Sequence, residues 1–264
     1  MKILYIGDIM GRPGRKIVSK LLPGIKINHD IDLVVAQSEN ISHGKGMSQK
    51  HFNQLEEAGV DGFSGGNHSF ERQQNIKMVL NPELPVVAPA NVLGHSYGNY
   101  KIITKGDYKV AIVSLLGYTI PKGYRDNTEN PLICIDKLLP VIKKLHKGPI
   151  LVNFHGDVSS EKVVIGHYLD GKVTAVIGDH WHVPTADERI LSKGTAHVTD
   201  VGMCGVLDSS LGIDWHLAVD RWLGKNTKFK LYDKPPYQFN AVLVKTNLNN
   251  NVAKSIERIQ IYTD

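Results

Sequence analysis

The first third of the chain alternates short apolar runs with segments of helical periodicity. Four runs are typical of buried strands and lie at residues 2–7, 32–36, 60–64 and 85–88. Strands joined by helices pair mainly in parallel, with the helices on the faces of the sheet. Apolar residues recur at helical spacing from Ile17 to Leu22. We expect Pro23 and Gly24 to end or weaken that helix.

The remainder of the chain adds antiparallel strands to this pattern. Residues 100–104 and 108–115 predict a hairpin around Gly106 and Asp107. Helices are predicted at 132–146, kinked or split by Pro140, and at 160–169. Further strands are predicted at residues 149–154, 173–177, 189–191, 195–199, 238–245 and 253–262. The pattern therefore favours an α/β fold of two sheets flanked by helices in one domain, and only residues 202–225 resist assignment.

Composition places the chain among ordinary globular proteins. The 264 residues are 42% apolar and 22% charged, and no apolar run is long enough to span a bilayer. The apolar N-terminal run is interrupted too early by Asp8 to be a signal peptide. Two distant cysteines do not indicate a disulfide framework. We expect a cytoplasmic protein without membrane contacts, whose net charge of +5 favours anionic ligands.

Polar side chains follow five of the predicted strands. They are Asp8, the pair Glu39 and Asn40, the pair Asn67 and His68, His155, and the pair His180 and His182. Ligands bind at the carboxyl ends of strands in open α/β sheets, so we expect these groups to converge on one edge. Imidazole suits zinc, iron, manganese and nickel. The sequence therefore predicts a metal site.

The charges in this set suggest a phosphate ligand. Asp8 and Glu39 supply two negative charges, so two divalent ions would leave about +2. Two ions about 3.5–4 Å apart polarise phosphoryl oxygens and deprotonate a water between them. No cysteine lies in these motifs, which disfavours a structural zinc site, and the imidazoles disfavour a site for magnesium alone.

Several motifs resemble those of the calcineurin-like metallophosphoesterases. They are Gly7-Asp8, Gly66-Asn67-His68, Phe154-His155-Gly156 and Gly178-Asp179-His180-Trp181-His182. The stretches at 6–14, 38–40, 43–46 and 199–203 are similar to the YmdB-like branch of that superfamily. The resemblance covers essentially the whole chain. It implies a single metallophosphoesterase domain over residues 1–264, folded as a four-layer αββα sandwich.

The resemblance also implies roles for the site residues. One metal would be held by Asp8, Glu39, Asn40 and His182. The other would be held by Glu39, Asn67, His155 and His180, with Glu39 bridging. Iron and manganese are favoured, zinc and nickel are compatible, and the pair would be divalent or of mixed valence. His68 would be the general acid that protonates the leaving alkoxide after attack of a metal-bridging hydroxide.

The substrates implied are cyclic nucleotides, with 2′,3′-cyclic ones favoured and 3′,5′-cyclic ones as a second option. The same two-metal core would serve a phosphomonoesterase or a phosphoprotein phosphatase. A regulatory protein that binds nucleotide or RNA, with incidental catalysis, is a third interpretation, although no RNA-binding motif supports it. The sequence leaves the native metal, the physiological substrate and homo-oligomerisation open.

Three positions depart from the wider superfamily. Met10 stands where many members have a metal-binding histidine, and we expect Asn40 to compensate. Glu39 replaces the usual aspartate, as in the YmdB-like branch. Ser69 follows His68 where an acidic residue often stands, so the sequence does not show what orients His68.

Other residues in the matching stretches have weaker assignments. Lys45 is a candidate phosphate contact, His43 and Asp200 flank the predicted site, and Trp181 would either stack on a nucleobase or form a hydrophobic wall. For the remaining histidines we expect surface or packing roles, namely His29, His51, His95, His146, His167, His197 and His216.

Overall fold

A computed structural model describes residues 1–94, 99–119, 127–228 and 230–264. The strands are β1 Lys2–Ile6, β2 Asp8–Ile9, β3 Leu33–Gln37, β4 Gly62–Ser64, β5 Val86–Val87, β6 Lys101–Lys105, β7 Tyr108–Leu116, β8 Ile150–His155, β9 Ala175–Asp179, β10 Arg189–Ile190, β11 Ala196–Val198, β12 Met203–Val206, β13 Tyr237–Thr246 and β14 Ala253–Thr263. The helices are α1 Gly11–His29, α2 Gln49–Glu57, α3 Gln73–Leu80, α4 Pro131–Leu145, α5 Ser159–Tyr168 and α6 Trp215–Trp222, with a 3-10 turn at Asn67–Phe70. His95 lies outside the described residues.

The strands form two sheets. The first has the order β2-β12-β13-β1-β3-β4-β5, with β14 paired to β13. The second has the order β10-β11-β9-β8-β7-β6. The strands β1, β3, β4 and β5 run parallel, as do β7, β8, β9 and β11. The predicted hairpin is confirmed as β6 and β7, which pair antiparallel.

The sheets stack face to face with helices outside, because alternate residues of each strand face opposite sides. In β1, Ile3 and Tyr5 join a core between the sheets that includes Ile112 and Ile177 of the second sheet. Leu4 and Ile6 instead pack in a core with residues of α1, α2 and α3. A third core packs α4 and α5 on the outer face of the second sheet. The predicted αββα sandwich is confirmed.

Neither proline ends or splits its helix, whereas a weakened α1 and a kinked α4 stay predictions. Helix α1 continues through Pro23 to His29, and α4 continues through Pro140 to Leu145. A proline inside a helix costs about 3 kcal/mol, but the turns of α1 around Pro23 bury Leu22 and Ile25. That burial offsets the missing hydrogen bond. The helix ends instead at Asp30, whose φ of 49° is left-handed.

Two further differences concern the site. The unassigned residues 202–225 contain β12 and α6, and β12 pairs with β2 so that Met203 faces Asp8 in register. Strand β9 includes Gly178 and Asp179, so the turn that carries the two histidines begins at His180.

Within the described ranges, no helix has the length and apolar character needed to cross a membrane.

Candidate metal centre

One group of predicted ligands lies between the ends of β3, β8 and β9. Ligand atoms of Glu39, His155 and His180 lie within 4.8 Å of one another. The Glu39 Oε1 atom is 3.2 Å from His155 Nε2, and Asn67 Oδ1 is 2.8 Å from the same nitrogen. The rings of His155 and His180 have centroids 4.4 Å apart. This group contains the four residues expected to share one ion.

A second group is formed by Asp8 and His182, and Asn40 is tied to the same segment because its carbonyl oxygen accepts the Gly11 N–H at 3.0 Å. His182 Nε2 lies 3.8 Å from Asp8 Oδ1, and His182 Nδ1 contacts the Leu211 carbonyl oxygen at 3.1 Å. A carbonyl only accepts, so Nδ1 carries the proton and Nε2 faces Asp8 as a free ligand. Asp8 Oδ1 and Asn40 Oδ1 are buried and have no hydrogen-bond partner among the described residues. Such oxygens cost about 1–3 kcal/mol each unless something satisfies them, and a cation would satisfy both.

The two groups are adjacent. Asp8 Oδ2 accepts the backbone N–H of His180 at 3.2 Å, which links the second group to the first. Glu39 Oε2 accepts the backbone N–H of His68 at 3.0 Å. Gly66 is required beside Glu39, because a Cβ there would lie 2.2 Å from Glu39 Oε2 and 2.6 Å from His155 Nε2. The fold thus brings all seven predicted ligands and His68 to one edge of the sandwich.

The electrostatics of the ligand groups suit a cation. Burial and the charge of Asp179 raise the pKa of Asp8 well above its ordinary value. Burial also raises the pKa of Glu39, but the charge of His155 outweighs it and holds that pKa well below its ordinary range. Burial lowers the pKa of His155, and the carboxylates of Glu39 and Asp179 more than reverse this. Burial and then His155 lower the pKa of His180 to about 4.

Asp179 orients His155, a role that sequence reasoning missed. Its Oδ1 lies 2.7 Å from His155 Nδ1, and its Oδ2 accepts hydrogen bonds from Tyr5, Gln37 and Asn153. A carboxylate at Nδ1 leaves Nε2 to face a metal, which is the usual arrangement around ligating histidines. Its position directly before the two histidines is the signal that could have identified it.

Replacing Asp179 with asparagine is expected to weaken metal binding about 10- to 100-fold. The three donors at Oδ2 would hold the amide oxygen, so an NH2 group would replace the acceptor that sets the tautomer of His155. Metal titration monitored by calorimetry measures the effect. Asp170→Asn is a matched control, since Asp170 is also buried and accepts backbone N–H bonds from Lys193. Equal metal affinity in the two variants would contradict the role of Asp179.

A buried ion pair supports the turn that carries His180 and His182. Both histidines have left-handed backbone, with φ of 101° and 63°, which only the surrounding structure maintains. The fully buried Lys162 donates to the Asp179 carbonyl at 2.8 Å and to Asp200 Oδ2 at 2.7 Å. Asp200 Oδ2 also accepts the Trp181 N–H at 2.9 Å. Asp200 therefore supports the turn, and the contribution of Lys162 was missed because its partners are distant in sequence.

Trp181 is fixed above this ion pair. Its Nε1 donates to the Asp157 carbonyl at 2.8 Å, and Lys162 Nζ lies 3.8 Å from the ring centroid. One face of the ring is thus covered by the lysine. Asp157 Oδ1 also lies 2.9 Å from His180 Nε2, so this half-exposed carboxylate adjoins the site although the sequence did not identify it.

His68 is oriented by Glu71, the second residue after Ser69. His68 Nδ1 lies 2.6 Å from Glu71 Oε1, while Glu71 Oε2 pairs with Lys45 at 3.0 Å. Burial raises the pKa of Glu71, but its hydrogen bonds with His68 and Lys45 lower that pKa by more, so the net shift is downward and Glu71 remains a carboxylate. His68 Nδ1 must then be the donor, which leaves Nε2 for proton exchange. The 3-10 turn at Asn67–Phe70 thus brings Glu71 to His68, in place of the acidic residue that position 69 lacks.

Two stacked sheets with imidazole, carboxylate and amide ligands at one edge define a metallophosphoesterase. The chain matches the family described as YmdB-like protein over residues 4–259, and it belongs to that family. It is 34% identical to the 2′,3′-cyclic-nucleotide 2′-phosphodiesterase of Bacillus subtilis (strain 168), covering 100% of this chain and 98% of that protein. The predicted phosphoric ester hydrolase is thereby confirmed.

Solved structures agree with this assignment. A structure described as a novel phosphatase from Mycoplasma pneumoniae superposes with a TM-score of 0.90 at 32% identity, covering 100% of this chain and 94% of that one. A protein from Thermus thermophilus superposes with a TM-score of 0.87 at 32% identity and complete coverage of both chains. Both superpositions extend over all of this chain, so the likeness includes both sheets and the edge at which the predicted ligands lie.

Proposed function

We propose that this protein is a metal-dependent phosphodiesterase that hydrolyses 2′,3′-cyclic nucleotides. The observation that carries the proposal is the pair of unpartnered buried oxygens on Asp8 and Asn40, beside the ligand group of Glu39, His155 and His180. The activity named for the Bacillus subtilis relative supports the choice of substrate. A single domain and a cytoplasmic location stay predictions from the sequence.

The two ligand groups would hold two ions, with Glu39 shared between them. Asp8, Asn40 and His182 complete one set, and Asn67, His155 and His180 complete the other. Bound ions would polarise the phosphoryl oxygens and supply a nucleophile from water at neutral pH. Imidazole-rich ligation favours iron or manganese and accepts zinc or nickel.

His68 would donate the proton that the departing ribose oxygen needs. Its Nδ1 is bonded to Glu71, so Nε2 carries the transferable proton when the ring is protonated. The Glu71 carboxylate would stabilise the protonated ring and hold its orientation. For a 2′,3′-cyclic nucleotide, donation to the 2′ oxygen leaves a nucleoside 3′-monophosphate.

Elemental analysis of the purified protein, followed by a substrate panel with the metal found, tests the proposal. We expect two ions per chain and faster hydrolysis of 2′,3′-cyclic nucleotides than of 3′,5′-cyclic nucleotides or phosphomonoesters at matched concentration. A metal-loaded protein that hydrolyses only monoesters would replace the diesterase assignment with a phosphatase.

The division of the ligands predicts selective metal loss. His182→Ala is expected to lose the ion at the Asp8–Asn40 group, and His180→Ala the ion at the Asn67–His155 group, so each variant retains about one ion per chain. Adding Asp8→Asn to His182→Ala should cost no further ion, whereas adding His155→Ala should empty the protein. Loss of both ions from either single variant would show that the histidines do not belong to separate sites.

A further inference from the structure

A cavity of about 330 Å³ lies beside His182, between the loop that follows β9 and the strands β12, β13 and β14 of the first sheet. Met203 lines it and faces Asp8 in the β2–β12 pairing, which places the cavity next to the second ligand group. Leu207, Leu211 and Pro184 form apolar walls. A ligand whose phosphate binds at the metal centre would therefore have this cavity within reach.

Two amide side chains line the cavity, those of Gln238 and Gln260, and both are hydrogen-bonded to the buried Asn240 behind them. Asn240 Nδ2 donates to the Met203 carbonyl at 2.7 Å, and because a carbonyl only accepts, this bond sets which end of the Asn240 amide is the donor. Asn240 Nδ2 also donates to Gln238 Oε1 at 3.0 Å. Asn240 Oδ1 accepts from Gln260 Nε2 at 3.0 Å. The backbone therefore fixes the orientation of all three amides.

This arrangement leaves one donor and one acceptor free on the two glutamines that line the cavity. Gln238 and Gln260 both line it. Gln238 Nε2 and Gln260 Oε1 have no hydrogen-bond partner among the described residues, since the other end of each amide is bonded to Asn240. The Gln238 side chain is only 6% exposed, and its Nε2 is not one of the buried atoms without a partner, so this donor belongs to the small part of the side chain that solvent reaches. A ligand that fills the cavity would replace water at this donor.

We propose that this cavity is the nucleobase subsite of the enzyme, with Gln238 and Gln260 binding the base edge. The edge of each of the four bases presents a donor beside an acceptor. The base acceptor would pair with the Gln238 Nε2 donor, and the base donor with the Gln260 Oε1 acceptor. Tyr262 also lines the cavity and supplies an aromatic face for stacking. The inference rests on the proposed cyclic-nucleotide activity and adds the part of the protein that would recognise the nucleoside.

Gln238→Met and Gln260→Met test this subsite, because methionine keeps the side-chain length and removes the amide. Each variant is expected to raise KM for 2′,3′-cyclic nucleotides about tenfold, as loss of a hydrogen bond would. Hydrolysis of bis-(p-nitrophenyl) phosphate, which has no base, should stay within about twofold. Gln49→Met is the matched control, since Gln49 is exposed and also donates to an asparagine, Asn53.

Calorimetric binding of adenosine and uridine 3′-monophosphates provides a readout that does not depend on catalysis. Weaker binding of both in the two variants, with inorganic phosphate binding unchanged, would support the subsite. Unchanged nucleotide binding in both would overturn it while leaving the diesterase intact. Absence of hydrolysis of any diester by the metal-loaded wild type would instead reject the proposed function. The exposed Gln260 position keeps the test valid should Gln238→Met fail to fold.

Discussion

Replacing His155 with alanine is expected to reduce hydrolysis of cyclic nucleotides by about 10³-fold, because an ion that stabilises transition-state charge contributes several kcal/mol. His155 is fully buried, and its Nε2 lies among Glu39 and Asn67. Alanine removes that nitrogen and also leaves the Asp179 carboxylate without a partner at Oδ1. Elemental analysis of the preparation measures the loss of the ion, and turnover of the same preparation measures the loss of rate.

His197→Gln is the control for this prediction. His197 is also buried, lies on β11 of the same sheet, and contacts a backbone carbonyl through Nδ1. It belongs to neither ligand group, so metal content and turnover should match the wild type. Full hydrolysis by metal-loaded His155→Ala protein would remove His155 from the catalytic centre.

The strand ends of the site could be predicted because their signal is local. An apolar run followed by Asp8 or His155 is visible in a window of ten residues, and parallel pairing brings such ends to one edge. The division of the two histidines between two ions is instead implied by the family resemblance. In the structure both residues have left-handed φ, and their Nε2 atoms lie near different carboxylates, Asp157 for His180 and Asp8 for His182.

The supporting residues could not be predicted because their partners are distant in sequence. Lys162 lies on α5 and resembles an ordinary helical lysine in the sequence, yet it is fully buried against Asp200. Its charge is tolerated only because a carboxylate and a carbonyl accept from it. The orientation of the Asn240 amide likewise depends on a distant partner, the Met203 carbonyl on a neighbouring strand, and could not be predicted from the sequence.

Glu71 shows how local geometry can conceal a pairing. The superfamily pattern places the acidic partner of His68 at position 69, which is serine in this chain. A 3-10 turn at Asn67–Phe70 places residues three apart on the same side, so Glu71 rather than residue 69 meets the ring. The departure from the superfamily pattern is therefore compensated within one turn of the chain.

Replacing His68 with glutamine is expected to slow hydrolysis of 2′,3′-cyclic nucleotides about 10²- to 10⁴-fold while leaving metal content unchanged. The ring contributes no atom to either ligand group, and only its backbone N–H contacts Glu39. A ribose alkoxide leaves slowly without a proton, whereas p-nitrophenolate needs none. Turnover of bis-(p-nitrophenyl) phosphate should therefore fall much less than turnover of the cyclic nucleotide.

The contrast between the two leaving groups separates acid catalysis from phosphate binding. A histidine that only bound the phosphate would slow both substrates equally, and a histidine that held a metal would lower the metal content. Glu71→Gln should slow the cyclic nucleotide to an intermediate degree, because His68 keeps an acceptor but loses its charge partner. His216→Gln is the matched control, since His216 forms a similar pair with Asp214 at 3.0 Å on the surface. Equal losses on both substrates would exclude His68 as the general acid.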